Sequence, residues 1–274
     1  MALRGHGLNL KREHYARVLD GGALHPVDWF EIVSENFFHP GGRPWAVLER
    51  LRQLRPVALH GTAMGLGNLH GVPADYLRRL KELIDRVEPT HVSDHLCFVG
   101  DAEEYTHELL PLPFTEAAAR HVSDQISRVQ DFLGCRIAVE NVSAYLRFEA
   151  DEFDEIDFLK AVAERADCHL LLDLNNLWVN GQNHGFDPVD QLARLPAERI
   201  IEFHLSGASF ADGVWFDTHV GPVPNPVWQL YRHALAHVGP RPTLVEWDTD
   251  VPDYETAAAE CARAARIERL REAA

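Results

Sequence analysis

Residues 170–176 read LLLDLNN, and this stretch decides the fold. Three consecutive leucines lead into a single carboxylate, Asp173, and two asparagines follow at Asn175 and Asn176. A short apolar run of this kind is typical of a buried strand. The stretch therefore predicts a strand whose last residue is an acid.

Seven more short apolar runs lie on either side of this one. Together the eight predicted strands cover residues 7–10, 29–33, 57–60, 91–95, 137–141, 170–174, 201–205 and 243–247. Between runs the apolar spacing changes to three or four residues, which predicts helices over 76–87, 118–133 and 156–166. Strands that alternate with helices form a parallel sheet with right-handed crossovers, and eight such units predict a closed (β/α)8 TIM-type barrel.

Length and composition agree with one catalytic barrel domain over residues 1–274. The 274 residues are 46% hydrophobic and 25% charged, which suffices for one large core, and no linker or low-complexity segment divides them. The net charge is −16, and only Lys11, Lys81 and Lys160 are lysines, which argues against a nucleic acid partner.

The cysteines and the N-terminus indicate the compartment. Four cysteines lie far apart without a C-x-x-C pair, so neither a disulfide framework nor a cysteine zinc site is expected. The sequence has no apolar segment of signal-peptide or membrane-span length, so we expect no membrane association. A cytoplasmic location fits both features.

Six predicted strands end in an imidazole or a carboxylate. These residues are His60, His95, Glu140, Asp173, His204 and Glu246. Asp217 and His219 follow the seventh strand as a D-x-H pair, and their two-residue spacing places both side chains on one side of an extended segment. Because the carboxyl ends of barrel strands form the active-site face, all eight side chains are expected at one rim.

Such a rim predicts bound metal. A single polar residue at a strand end is ordinarily a helix cap or a loop contact. Eight such residues buried together would destabilise the fold by roughly a few kcal/mol for each unpaired charge unless cations neutralise them. Imidazole and carboxylate without thiolate suit Zn²⁺, Mn²⁺ or iron. With three or four ligands per ion, eight ligands favour two ions or three, and Glu140 and Asp217 are candidate bridges.

Other polar residues are open to two interpretations. Asn175, Asn176 and the stretch 180–188 predict a loop on the same rim, in which His184 is a metal ligand or a substrate contact. The same stretch is equally explained as a turn that caps a helix beginning near Pro188. Asn36, at the end of the second strand, has the same ambiguity. We assign nine further histidines to positions away from the rim: His14, His25, His39, His70, His91, His121, His169, His233 and His237.

The ordered motifs resemble a known family, the multinuclear non-heme iron-dependent oxidative enzymes that include the methanobactin-maturation oxidase. The resemblance covers nearly the whole chain. It rests on L-H-G with His60, S-D-H with His95, E-N with Glu140, L-D-L-N-N with Asp173, N-H-G-F-D-P over 183–188, H-L-S-G with His204, D-T-H with His219 and V-E-W-D with Glu246.

The resemblance implies a barrel with two or three irons, mixed Fe(II) and Fe(III), that uses O2 as co-substrate. It implies oxidation of a cysteine in a ribosomally synthesised precursor peptide, with a partner protein that delivers the peptide. The implied ligand groups are His60, His95 and Glu140 at one ion; Glu140, Asp173, His204 and Glu246 at the next; and Asn176, Asp217 and His219 at a third. The chain departs from the family at Asp94, where Glu is more usual.

Two other classes compete with the oxidase. Endonuclease IV-like and xylose isomerase-like barrels have a similar ligand order, so a divalent-metal hydrolase or a sugar isomerase is the alternative. The charge of −16 and the asparagine at 176, where endonuclease IV has histidine, argue against the nuclease, and no lysine ends a predicted strand as the isomerase would require. A metal-storing or peptide-binding protein ranks last, because it would not need so many ligands.

Overall fold

The computed structural model describes residues 3–21, 24–100 and 105–272. Within these ranges the strands, in chain order, are β1 (His6–Asn9), β2 (Trp29–Val33), β3 (Val57–Gly61), β4 (Val92–His95), β5 (Phe98–Gly100), β6 (Tyr105–Leu110), β7 (Ala138–Glu140), β8 (His169–Asp173), β9 (Ile200–Leu205), β10 (Ser209–Ala211), β11 (Val214–Phe216) and β12 (Thr243–Val245).

Eight of these strands close into a parallel barrel in the order β1-β12-β9-β8-β7-β4-β3-β2. Each predicted run overlaps one barrel strand, so the predicted (β/α)8 barrel is confirmed. Two antiparallel hairpins, β5–β6 and β10–β11, lie outside the barrel in loops that follow β4 and β9. The prediction lacked them because they contain few buried apolar side chains.

The α-helices of the described ranges are α1 (Tyr15–Leu19), α2 (Gly42–Arg52), α3 (Ala74–Val87), α4 (Glu116–Leu133), α5 (Glu155–Ala166), α6 (Leu174–His184), α7 (Pro188–Leu192), α8 (Asn225–Val238) and α9 (Tyr254–Glu272). The three predicted helices are confirmed as α3, α4 and α5. Side-chain oxygens cap two of them: Thr115 accepts the Ala118 N–H at 3.1 Å, and Asp154 accepts the Asp157 N–H at 3.0 Å. None of the helices in these ranges is long and apolar enough to cross a membrane.

The predicted loop over Asn175, Asn176 and residues 180–188 is wrong, because α6 contains both asparagines and the first half of the 180–188 stretch. Asp173 caps this helix by accepting the Asn176 N–H at 2.6 Å, and Gly185 ends it in the left-handed conformation. Gly181 lies inside the helix, where a Cβ would come within 3.0 Å of the Phe186 carbonyl oxygen. Close packing, rather than a turn, explains that glycine. The second interpretation is confirmed, since Asp187 caps α7 at Pro188.

Side chains along each barrel strand alternate between the helices and the barrel interior. On β9, Phe203 is fully buried and its ring contacts Tyr231 of α8 edge-on. Its neighbours Glu202 and His204 point the other way, into the barrel, and both are fully buried. The same alternation places the predicted ligands inside the barrel at its carboxyl end.

Candidate metal centre

The barrel register brings the predicted ligands together. His95 pairs with Glu140 across β4 and β7, and Asp173 pairs with His204 across β8 and β9. Because paired residues of parallel strands point to the same face, each pair enters the barrel side by side. Glu246 follows the last residue of β12 and lies on the same face as His204.

The first group consists of His60, His95 and Glu140. The Nε2 atoms of His60 and His95 lie 3.2 and 3.4 Å from Glu140 Oε2. The other nitrogen of each ring has a hydrogen-bond partner on the side away from the centre. His95 Nδ1 donates to the Gly61 carbonyl at 3.0 Å, and His60 Nδ1 lies 2.8 Å from Ser93 Oγ. Ser93 donates its own proton to a carbonyl oxygen, so both histidines present an Nε2 lone pair to the centre.

The second group surrounds His204, whose ring is turned the other way. Its Nδ1 lies 3.3 Å from Glu246 Oε2 and 3.7 Å from Glu140 Oε1. Glu140, Asp173 and His204 each offer a ligand atom within 4.8 Å of the others. The oxygens Glu140 Oε2 and Asp173 Oδ2 are buried without a hydrogen-bond partner.

The third group contains the D-x-H pair. His219 Nε2 lies 2.8 Å from Asp217 Oδ1, and its Nδ1 lies 3.6 Å from Glu246 Oε2 and 3.3 Å from Asp248 Oδ2. The segment is not a strand, and His219 has a positive φ of 49°, yet the two side chains meet as the spacing predicts. Asn175 donates to Asp217 Oδ1 at 2.7 Å.

Asn176 has a different environment from that of the other predicted ligands. Its side-chain oxygen accepts a hydrogen bond from Ser143, and its side-chain nitrogen donates to the Asn141 carbonyl at 3.0 Å. The amide lines the cavity beside Asp217, but both of its polar atoms have protein partners. A metal ion would therefore share the Asn176 oxygen with Ser143.

The titration behaviour of these groups fits cation binding. Burial lowers the pKa of His60 and brings the pKa of His95 to about 4, so both are neutral ligands at pH 7. Burial raises the pKa of Glu140 well above its usual value and the pKa of Asp173 to about 7. Carboxylates that burial keeps protonated, beside unpartnered oxygens, form a donor set that suits a divalent transition metal.

Two adjoining cavities give access to this centre. One, of about 110 Å³, is lined by ligand residues including His60, His95, Glu140 and Glu246. The other, of about 340 Å³, lies against the first hairpin and Tyr145. Both are lined by Thr62, Leu109, Asn176 and Asp217, so the larger cavity opens onto the smaller one.

The candidates for substrate contact lie in different places. Asn175 and Asn176 belong to the rim. His184 instead donates from Nε2 to the Ala144 carbonyl at 2.6 Å and tethers the loop after β7. Asn36 is exposed on a short 3₁₀ helix. Its neighbour Glu35 accepts the N–H groups of two residues that follow β3 and has a structural role.

Asp94, the departure from the family pattern, faces away from the ligands. Its Oδ1 accepts the backbone N–H of His95 at 2.8 Å, and its Oδ2 accepts the Tyr76 hydroxyl at 3.3 Å. A Cβ on Gly61 would come within 2.0 Å of Asp94 Oδ2, so the glycine makes room for this carboxylate. Aspartate at this position thus contacts the backbone of the ligand His95 rather than the metal centre.

Three polar residues beneath the rim were not predicted as a group. Glu31 and Glu202 are buried, whereas His91, which we placed away from the rim, is partly exposed. Glu31, His91 and Glu202 form a further group whose ligand atoms lie within 4.8 Å of one another. Glu31 and Glu202 stand in the middle of apolar runs, WFEIV and IIEFHL, and Glu202 precedes His204 by two residues. That two-residue spacing was the available signal, because it places Glu202 on the same face as a ligand.

Comparison with solved structures identifies proteins of similar fold. The fold resembles D-psicose 3-epimerase from Clostridium cellulolyticum H10, with a TM-score of 0.60, 12% identity and coverage of 97% of this chain and 98% of that one. It also resembles a xylose isomerase-like TIM barrel protein from Mycobacterium smegmatis in complex with magnesium, with a TM-score of 0.58, 14% identity and coverage of 93% and 87%. At this identity the likeness concerns the fold alone.

The family follows from the sequence of the whole barrel. The model of the family "RiPP precursor modification enzyme MbnB/TglH/ChrH" matches residues 5–269, so the chain belongs to this family of enzymes that modify ribosomally synthesised precursor peptides. The resemblance drawn from the motifs is confirmed. The chain is also 48% identical over 263 residues to a UPF0276 protein of Acaryochloris marina, covering 96% of this chain and 94% of that protein. A UPF0276 protein of Caulobacter vibrioides is 45% identical over 257 residues, with coverage of 93% and 91%.

Proposed function

We propose that this protein is an iron-dependent oxidase that uses O2 to modify a cysteine of a ribosomally synthesised precursor peptide. The observation that carries the proposal is the combination of two features. One is the family match over residues 5–269, and the other is the group of eight imidazoles and carboxylates at one end of the barrel, six of which line one cavity and several of which have unpartnered buried ligand atoms. Imidazole and carboxylate ligands that leave open positions are typical of non-heme iron sites.

We assign two ions to the closest ligand groups. The first ion would be held by His60 and His95 through Nε2 and by Glu140. The second would be held by His204 through Nδ1 together with Asp173 and Glu246, with Glu140 between the two ions. The distances of 3.2 and 3.7 Å from the two Glu140 oxygens to His60 and His204 support a bridging role.

A third ion would lie beside the D-x-H pair. Asp217 and His219 would be its ligands, and the Asn176 oxygen would complete the set. The contact of 3.6 Å between His219 and Glu246 supports a position close to the second ion. The existing hydrogen bond from Ser143 to Asn176 makes this the weakest of the three sites, so we expect it to lose its ion first.

The chain's own residues bind the ions and admit the substrate. Iron, when bound, would supply the activation of O2 and a position for the cysteine sulfur. His60 and His95 are neutral and bind without releasing protons, whereas Glu140, Asp173, His204 and His219, whose pKa values are raised, must release theirs. The cavity of about 340 Å³ is large enough for a cysteine and its flanking residues, and it leads to the ligands past Thr62 and Asp217.

The face around this cavity supports a peptide substrate. Tyr105, Tyr145 and Phe210 leave roughly half of their surface exposed, at 46%, 47% and 58%, and they lie on the two hairpins and the loop after β7. Exposed aromatic side chains are common at protein interaction surfaces. We propose that the precursor peptide and a partner protein that delivers it bind at this face, and that the single catalytic domain of residues 1–274 acts in the cytoplasm.

The direct test is co-expression of the chain with the cysteine-containing precursor peptide encoded beside its gene, and with any neighbouring partner protein, followed by mass spectrometry of the peptide. The proposal predicts a mass change at a cysteine that requires O2 and iron and is abolished by Glu140→Gln. A precursor recovered unmodified from cells in which the wild-type chain holds its irons would contradict it.

A further inference from the structure

Beneath the metal ligands, the barrel contains a buried ion pair that the proposed chemistry leaves without a role. His91 Nε2 contacts Glu202 Oε2 directly, and Glu202 is fully buried. His91 precedes β4 and lines a separate cavity of about 620 Å³ at the amino-terminal end of the barrel. The pair therefore links the far end of the barrel to its interior.

The second carboxylate oxygen of Glu202 contacts His204, which is a ligand in the proposed metal centre. Glu202 Oε1 lies 3.3 Å from His204 Nε2, and Glu31 Oε1 lies 3.6 Å from the same nitrogen. Glu202 and His204 are two residues apart on β9, so both enter the barrel on one face. His204 thus has carboxylates on both sides of its ring, with the ligand groups at Nδ1 and Glu202 at Nε2.

Comparison of the histidines assigned to the first two ions, His60, His95 and His204, indicates what this arrangement does. Ser93 holds Nδ1 of His60, and the Gly61 carbonyl holds Nδ1 of His95, so each ring is fixed with Nε2 toward Glu140. Of these three rings, His204 alone faces the centre with Nδ1. No main-chain or hydroxyl partner holds its Nε2 among the described residues, and Glu202 lies nearest to that nitrogen.

The charge at this position also requires an explanation. Its carboxylate is fully buried inside the barrel, where it contacts His91 and His204. A leucine or methionine would fill the space of Glu202 without the cost of removing a carboxylate from water. A carboxylate that accepts the far N–H of a ligand histidine fixes its tautomer and orientation and makes it a stronger ligand.

We infer that Glu202, anchored by His91, is a positioning residue that holds the His204 ring with Nδ1 toward the second metal ion. The inference rests on the proposed metal centre, but it is independent of which peptide is oxidised. It assigns no ion to Glu202 itself.

The test uses Co²⁺ as the probe, with the full-length chain stripped of metal. Three variants are compared: Glu202→Gln, His91→Gln and, as the matched control, His169→Gln, which lines the same amino-terminal cavity as His91. We expect Glu202→Gln to weaken binding of one Co²⁺ about 10- to 100-fold and to change its visible absorption spectrum. His91→Gln should act in the same direction with a smaller effect, and His169→Gln should match the wild type.

Three other results would contradict the inference or the proposed metal centre on which it rests. If both Glu202→Gln and His91→Gln fold, as judged by thermal denaturation, and bind Co²⁺ with wild-type affinity and spectrum, the positioning role is refuted. If they lose an ion that Glu246→Gln retains, the buried cluster with Glu31 holds a cation itself, and the inference is wrong. If the wild-type chain binds no Co²⁺, the proposed metal centre fails, and the inference fails with it.

Discussion

Replacing Asp173 with asparagine should stabilise the metal-free protein and weaken its metal binding. Asp173 is fully buried, its Oδ2 has no hydrogen-bond partner, and burial raises its pKa from 3.8 to about 7. The unfolded chain gives up this proton near pH 4, whereas the folded chain holds it to about pH 7. The contribution of Asp173 to wild-type stability therefore falls as the pH rises between these values and then levels off.

The size of the effect follows from the same two values. At about 1.4 kcal/mol for each pKa unit, ionisation of Asp173 in the folded protein costs about 4 kcal/mol above pH 7. The amide of the Asp173→Asn variant would not titrate, and its oxygen can still accept the Asn176 N–H that begins α6. The variant should gain about 1 to 2 kcal/mol at pH 5 and up to about 4 kcal/mol at pH 8.

Urea denaturation of the chelator-treated protein between pH 5 and pH 8 measures this difference. Asp154→Asn is the matched control, because Asp154 caps α5 in the same way but its pKa is lowered: Arg194 and the backbone N–H groups outweigh the opposing effect of burial. That variant should gain nothing as the pH rises. Added Co²⁺ should reverse the order for Asp173→Asn, because only the wild type retains the ligand. An Asp173→Asn protein whose advantage does not grow with pH would refute the reasoning.

Three further outcomes are expected. Glu140→Ala and His204→Ala should lose bound metal while keeping the circular dichroism spectrum of the wild type, and either variant with full metal content would contradict the ligand assignment. Gly207→Ala should remove the ion near His219 but not the one at Glu140. The new Cβ would lie 2.2 Å from the Val220 carbonyl oxygen and would displace the segment that carries His219. The number of Co²⁺ ions bound per chain tests this expectation. Saturating metal should raise the melting temperature, since a ligand at 100 times its Kd adds about 2.7 kcal/mol per site, and a chelator should reverse the shift.

Much of the barrel and its rim could be predicted from the sequence for one physical reason. A buried strand tolerates a charged residue mainly at its end, so the polar residue that ends an apolar run marks the carboxyl face. His60, Asp173 and Glu246 were found in this way, and the register confirms that their strands belong to one barrel.

The remainder depends on contacts that no local pattern encodes. Residues 180–184 contain two asparagines, a glycine and a histidine, a composition typical of a loop, yet α6 forms because Asp173 caps it and Asn180 bonds to the neighbouring loop. Likewise, the sequence does not say which ring nitrogen of His204 faces the centre. That choice depends on Glu202, whose place inside the barrel becomes visible only when the strands are assembled.

The most direct test of the central claim is elemental analysis of protein purified without oxygen, combined with Mössbauer spectroscopy. The proposal predicts two or three irons per chain, in a mixture of Fe(II) and Fe(III), that are lost from Glu140→Ala. Stoichiometric zinc or manganese that iron cannot replace with activity would contradict it and would favour a hydrolase or isomerase on the same barrel.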